Sequence, residues 1–262
     1  MKKLLVLSLF FSLSNTYSAM AIGQYGEGDT LFVWAKSGLI LRAAPDFKAE
    51  KIITLPYGTA VKTLSYKYRD EDISEIEVTA VKPYSFEGKN YAGYKIPGQW
   101  VKVTVQGKTG HLFDGYLSKY PPVSEGKSGR LEYWDDYLSR VFGQSSTSID
   151  TSRRGHVPAY DIVFYKNGAS RQSRSVGDGM SSQTYILPEL SLEEGFLLTN
   201  YFYDLEKNSN RPAKADDEED APYLLLQSSY NLLDFDSESS FWGHIKVGCV
   251  NGVVVITTLF SC

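Results

Sequence analysis

Cysteine and histidine are scarce in this chain of 262 residues: there are two cysteines, Cys249 and Cys262, and three histidines, His111, His156 and His244. No two histidines stand in the HExxH or HxH spacing that would place both on one metal ion. Cys249 falls within an expected strand and Cys262 is the final residue, so neither has the helix-start setting that activates a nucleophilic thiol. The GxSxG and SxxK patterns are missing, as is a glycine-rich phosphate loop leading into a helix. Catalysis, a bound metal and a cofactor are therefore not expected.

Long apolar runs are also lacking once the first residues are passed. The opening MKKLLVLSLFFSLSNTYSAMA has Lys2 and Lys3 ahead of an apolar run, Leu4 to Leu13, that is short for a membrane span. It ends on small residues at Ala19 and Ala21. Residues 1–21 are expected to be a signal peptide cleaved after Ala21, which makes the chain periplasmic or secreted, with no stable membrane span after its removal. The formal net charge is −4, and loss of Lys2 and Lys3 from a segment without acidic residues makes it −6. Such a surface argues against nucleic acid or anionic lipid as a partner.

What remains is rich in tyrosine, glycine and short alternating runs, the pattern of antiparallel β structure with turns. Strands are expected at LFVWA, Leu39–Arg42, Lys51–Leu55, Thr59–Leu64, Trp100–Val105 and Thr109–Phe113, the last two joined at Gly107-Lys108. Residues 65–98 form an insertion, an extra hairpin or ordered loop, with ISEIEVTAV as one strand and Asn90–Ile96 as its return. Residues 121–130 have the proline, glycine and serine chemistry of a linker. Beyond it, apolar residues at 131, 134, 138, 141 and 142 predict a helix that Gly143 ends. Gln144–Val157 reads as polar loop. Strands follow at 159–165, 169–176 and 183–187. Ser191 and Glu194 have capping-box spacing, so a helix should start at Leu192, with strand the alternative for GFLLTNYFYDLE. Lys207–Pro222 reads as solvated loop, and strands at 223–233, 242–247 and 253–259 complete a mostly antiparallel sheet. Overall the fold is expected to be mainly β: a small barrel over 28–120, then an α+β domain over 131–262.

Export would permit a Cys249–Cys262 disulfide. The Asn251-Gly252 hairpin signal opposes it, because that register separates the two sulfur levels by about 26 Å, whereas a bridge needs Cα atoms within about 7 Å. A bridge through a folded-back tail and two unpaired thiols both stay open. The acidic run Asp216–Asp220 lacks the alternating carboxylates and central glycine of a calcium loop and reads as solvated. Arg153, Arg154, Arg171 and Arg174 read as scattered surface arginines rather than a basic patch.

SGLILRAAPDFKAEKIITLPYGTAVKTL, Ser37 to Leu64, and QWVKVTVQGKTGHLFDGYLS, Gln99 to Ser118, carry an ordered set of anchors. They are Gly38, Leu39, Leu41, Arg42, Pro45, Leu55, Gly58, Val61, Trp100, Val103, Gly107, Gly110, Tyr116 and Leu117. In these the first part resembles the bacterial SH3-like domain family. It departs at His111, where the family has an aromatic residue, and in the insertion. The resemblance implies a small β-barrel, export, and contact with cell-wall peptide or an envelope protein without catalysis. Residues 131–262 show no such resemblance.

The insertion concentrates aromatics: Tyr66, Tyr68, Tyr84, Phe86, Tyr91 and Tyr94, with Trp100 next to it. Tyrosine joins a flat apolar face to a polar tip, which suits peptide or glycan recognition as well as packing. These seven residues are the expected ligand-binding set. The expected function is a non-enzymatic binding protein of the cell envelope. The alternatives are a periplasmic inhibitor or immunity-type protein that inserts Gln144–Val157 or Lys207–Pro222 into a cell-wall enzyme, and an accessory subunit or cryptic peptidoglycan hydrolase.

Overall fold

A computed structural model describes residues 25–64, 76–86, 88–124, 132–150, 160–177, 180–210, 223–237 and 243–261. Residues 1–21, Tyr66, Tyr68, most of the expected linker, Arg153, Arg154, the acidic run and Cys262 lie outside them, as does the side chain of Phe86.

The chain is mainly β, built of two large antiparallel sheets and two small ones. The first large sheet contains β1 (Thr30–Val33), β2 (Leu39–Arg42), β3 (Lys51–Leu55), β4 (Ala60–Thr63), β9 (Trp100–Val105), β10 (Lys108–Phe113) and β11 (Leu117–Ser118), in the order β11-β1-β4-β9-β10-β2-β3. Its outermost strands, β11 and β3, are not paired to each other among the described residues. Alternation buries Leu31, Val33, Leu41, Leu55, Val61, Val101, Val103 and Leu112 on one side as a core of their own. The β9–β10 turn falls one residue earlier than Gly107-Lys108: Val105 pairs with Lys108 across Gln106 and Gly107, at φ 50° and 73°. Two consecutive positive φ values are what a two-residue turn needs to follow the strand twist.

The described part of the insertion forms two hairpins, one nested at the tip of the other. β5 (Ile76–Val81) pairs with β8 (Tyr94–Gly98), and at the tip β6 (Tyr84–Phe86) pairs with β7 (Lys89–Tyr91).

The second large sheet has eight strands: β12 (Gln144–Asp150), β13 (Tyr160–Tyr165), β14 (Ser170–Gly177), β15 (Met180–Pro188), β16 (Tyr223–Ser229), β17 (Leu232–Ser237), β18 (Gly243–Val250) and β19 (Val253–Ser261). Their order is β12-β13-β14-β15-β19-β18-β17-β16. One face carries Val163, Tyr185, Leu187, Leu233, Phe235, Ile245, Val247, Val254 and Ile256, all buried. It packs against α1 (Trp134–Phe142) and α2 (Leu192–Tyr203). Gly143 ends α1 at φ 69°. Ser191 and Glu194 form the expected capping box on α2. α2 is apolar on several sides because both large sheets press on it, which is why its sequence also reads as strand.

Four further expectations are corrected. Gln144–Asp150 is the edge strand β12 rather than loop; its serines and threonine show no apolar alternation, and pairing with β13 supplies the order. Lys207–Ser209 belongs to α3 (Leu205–Ser209), which follows α2 after the left-handed residue Asp204. The run 223–233 is a hairpin that turns at Tyr230 and Asn231, not one strand. Arg171 is buried rather than on the surface: it is 8% exposed and bridges Asp135 of α1 and Asp161 of β13.

The two large sheets are held together by named contacts. Ser118 Oγ donates to Glu194 Oε1 at 2.5 Å and Tyr116 Oη donates to Glu206 Oε1 at 3.1 Å. Lys36 pairs with Asp204 and donates to Tyr201 O at 3.2 Å, on the C-terminal turn of α2. The position suits a cation at the negative end of a helix dipole. One continuous apolar cluster runs from Trp34, Tyr94 and Trp100 to Phe196 and Phe235.

Candidate functional site

The insertion is where the sequence placed a ligand groove. Its aromatic side chains divide. Tyr84 is half-buried and stands opposite Tyr91 across the tip hairpin. Tyr91 and Tyr94 are buried. Tyr94 meets the Phe196 ring of α2 edge-on at 4.9 Å, and burial, with the Glu193 carboxylate adding to it, pushes its hydroxyl pKa up. The backbone of the insertion is tied down as well. Ala92 N–H donates to Leu225 O at 2.8 Å, Lys82 N–H to Asn210 Oδ1 at 2.8 Å, and Asn210 Nδ2 to Ala80 O at 2.9 Å. Hairpin β5–β8 is thus a buttress between the first sheet, α2 and the edge strand β16.

Trp100 belongs to a different group. It opens β9 and is buried, and the ring lying 4.9 Å from it is Phe47. Phe47 also reaches Phe113 at 6.0 Å and is itself 46% exposed. The turn that presents it is closed by hydrogen bonds of its own. Ala43 N–H bonds Glu50 O at 3.0 Å and Ala49 N–H bonds Asp46 O at 3.0 Å. Asp46 Oδ1 accepts from Lys48 N–H at 2.8 Å, and Arg42 Nη1 donates to Ala49 O at 2.8 Å. An aspartate that bonds its own backbone two residues on fixes such turns without help from a sheet ladder. Phe47 carries no signal in the sequence, because a single aromatic between Asp46 and Lys48 has no periodic partner.

Beneath this aromatic corner lies a buried acid. Asp114 accepts from Gln99 N–H at 2.7 Å and from Tyr25 Oη at 2.5 Å. Burial pushes its carboxyl pKa up to about 7, against the pull of those hydrogen bonds. Gly98 makes the close packing feasible: a Cβ there would lie 2.5 Å from Phe113 Cε2 and 2.8 Å from Asp114 Oδ1. His111, on β10 opposite Arg42, is buried in the first sheet. Burial, and then the Lys102 ammonium, push its pKa down. The imidazole therefore packs as a neutral group.

A second polar group stands on the outward face of the eight-stranded sheet. His244 Nε2 contacts Asp234 Oδ1, and Lys246 Nζ lies 3.2 Å from Asp234 Oδ2. The cross-strand neighbours of His244 are Asp236 and Leu259, neither of which is a nucleophile for the imidazole to activate. Cys249 is a free thiol whose Sγ donates to Leu190 O at 3.8 Å, and burial pushes its pKa up, the opposite of an activated thiolate. Among the described helices none is long and apolar enough to cross a membrane.

No family model, curated protein or solved structure matches the chain.

Proposed function

We propose that this chain is an exported binding protein of the bacterial cell envelope, that it has no catalytic role, and that it contacts wall peptide through the aromatic corner of the first sheet. One observation carries the reading. Phe47 is held out into solvent by a hydrogen-bonded turn while its inner edge rests on Trp100 and Phe113. A preformed aromatic step costs little entropy to use, since the ring is already ordered before a ligand arrives. Lys48 and Lys51, both exposed, flank the step and suit a peptide that carries carboxylates. Of the SH3-like anchors, Arg42, Pro45 and Trp100 belong to the same corner, which agrees with a peptide-contacting role. The signal-like residues 1–21 support export.

The test uses the chain without residues 1–21 and purified peptidoglycan sacculi. After centrifugation the pellet is assayed for protein and the supernatant for released fragments. Pelleting without release is expected. Release of fragments would make the chain a hydrolase, and neither pelleting nor release would leave a protein partner as its target; either result overturns the reading.

A further inference from the structure

The eight-stranded sheet has two faces of opposite character. Strict alternation buries one face under α1 and α2, and along β13–β15 and β17–β19 every described side chain on the other face is half-buried or exposed. An antiparallel sheet can leave such a face to water when it is polar. Here it is not uniformly polar. Phe164 and Ile186 are each 41% exposed and Val255 is 36% exposed. The strand register places them in one row across six strands: Phe164, Ser170, Ile186, Val255, Gly248, Leu232. About the seam between β15 and β19 this row is a palindrome in size, large-small-large meeting large-small-large. The adjoining row places Thr184 and Thr257 on either side of the same seam.

We infer that this face packs against the same face of a second copy of the chain, about a two-fold axis running parallel to the strands over the β15–β19 seam. That axis exchanges β15 with β19, β14 with β18 and β13 with β17, and leaves each row at its own level. Ile186 then faces Val255 of the second copy, and Phe164 faces Leu232. Ser170 and Gly248 leave room between them for the flanking side chains to interdigitate, as in a β-sandwich whose sheets lie about 10 Å apart. A two-fold interface requires a self-complementary patch, and this row meets that requirement.

Charge follows the same symmetry. Among the described side chains, the outward charge on the β12–β15 half is Arg174, whereas the other half carries Asp234 and Asp236 against Lys246. Exchanging the halves brings each Arg174 toward the carboxylates of the other copy. Six strands spaced about 4.8 Å apart and three rows spaced about 6.8 Å apart cover roughly 600 Å² on each copy, or about 1,200 Å² in all, the lower end of a specific interface. The inference is independent of the peptide-binding reading, because it uses the other sheet.

Sedimentation velocity of the chain without residues 1–21, from about 1 to 100 µM, tests it. A dimer that populates with rising concentration is expected, and Ile186→Arg or Val255→Arg should leave a monomer with an unchanged circular dichroism spectrum. Arg174→Asp should weaken the dimer by about tenfold or more, and adding Asp236→Arg in the same chain should restore it. A monomer at every concentration would assign the face to some other occupant and overturn the inference. So would a dimer indifferent to both arginine substitutions.

Discussion

Ser118 Oγ lies 2.5 Å from Glu194 Oε1, and the same carboxylate accepts from Ser191 N–H at 3.0 Å through its other oxygen. One half-buried side chain thus serves as the capping-box partner of α2 and as the anchor for β11, the last strand of the first sheet. Burial raises its pKa and these hydrogen bonds lower it. Ser118→Ala removes one of those bonds without removing the acid, so it should cost about 1–3 kcal/mol. Urea unfolding measures this, with Ser148→Ala on the exposed edge strand as a control that should stay within about 0.5 kcal/mol.

Asp114 gives a pH dependence of definite sign. Its carboxyl titrates near 3.8 when exposed and at about 7 in the fold. The unfolded chain therefore ionises first as pH rises, and the contribution present below about pH 4 is lost progressively up to about pH 7. The loss amounts to roughly 4 kcal/mol. Asp114→Asn keeps an acceptor for Gln99 N–H and removes the charge. Unfolding free energies at pH 4.5 and pH 7.5 should differ by less in the variant, and Asp114→Asn should be the more stable protein at the higher pH.

Gly195 sits in α2 where helix and sheet touch. A Cβ added there would lie 2.7 Å from Val254 Cγ1 and 3.1 Å from Val247 Cγ1. Alanine gains about 1 kcal/mol in helix propensity. Overpacking at a tight contact costs about 1–3 kcal/mol. Packing should win, so Gly195→Ala should lower the thermal midpoint rather than raise it.

The two cysteines should not bridge within one chain. Cys249 pairs with Val254, and the strand then runs seven residues to Ser261, about 23 Å away. The unreduced chain should show the same intact mass before and after reduction, and a loss of 2 Da in the unreduced form would contradict the register.

Local chemistry was legible where it is self-contained. Asn251-Gly252 announced the β18–β19 register to the residue, and Ser191 with Glu194 announced the start of α2. Strand β12 was not legible, because Gln144–Asp150 has no apolar face and takes its order from β13. The insertion aromatics were legible as a cluster but not in direction: what buries Tyr94 is Phe196, about a hundred residues away, and what pins Ala92 is Leu225. Trp100 was found, and the exposed ring above it, Phe47, was not.

The most direct test of the binding account is a map of backbone amide shifts on adding a soluble wall peptide to the isotope-labelled chain without residues 1–21. The account predicts shifts centred on Phe47, Lys48, Trp100 and Phe113, abolished by Phe47→Ala while the rest of the spectrum is retained. Shifts confined to Tyr84 and the insertion tip, or no shifts at all at millimolar peptide, would contradict it.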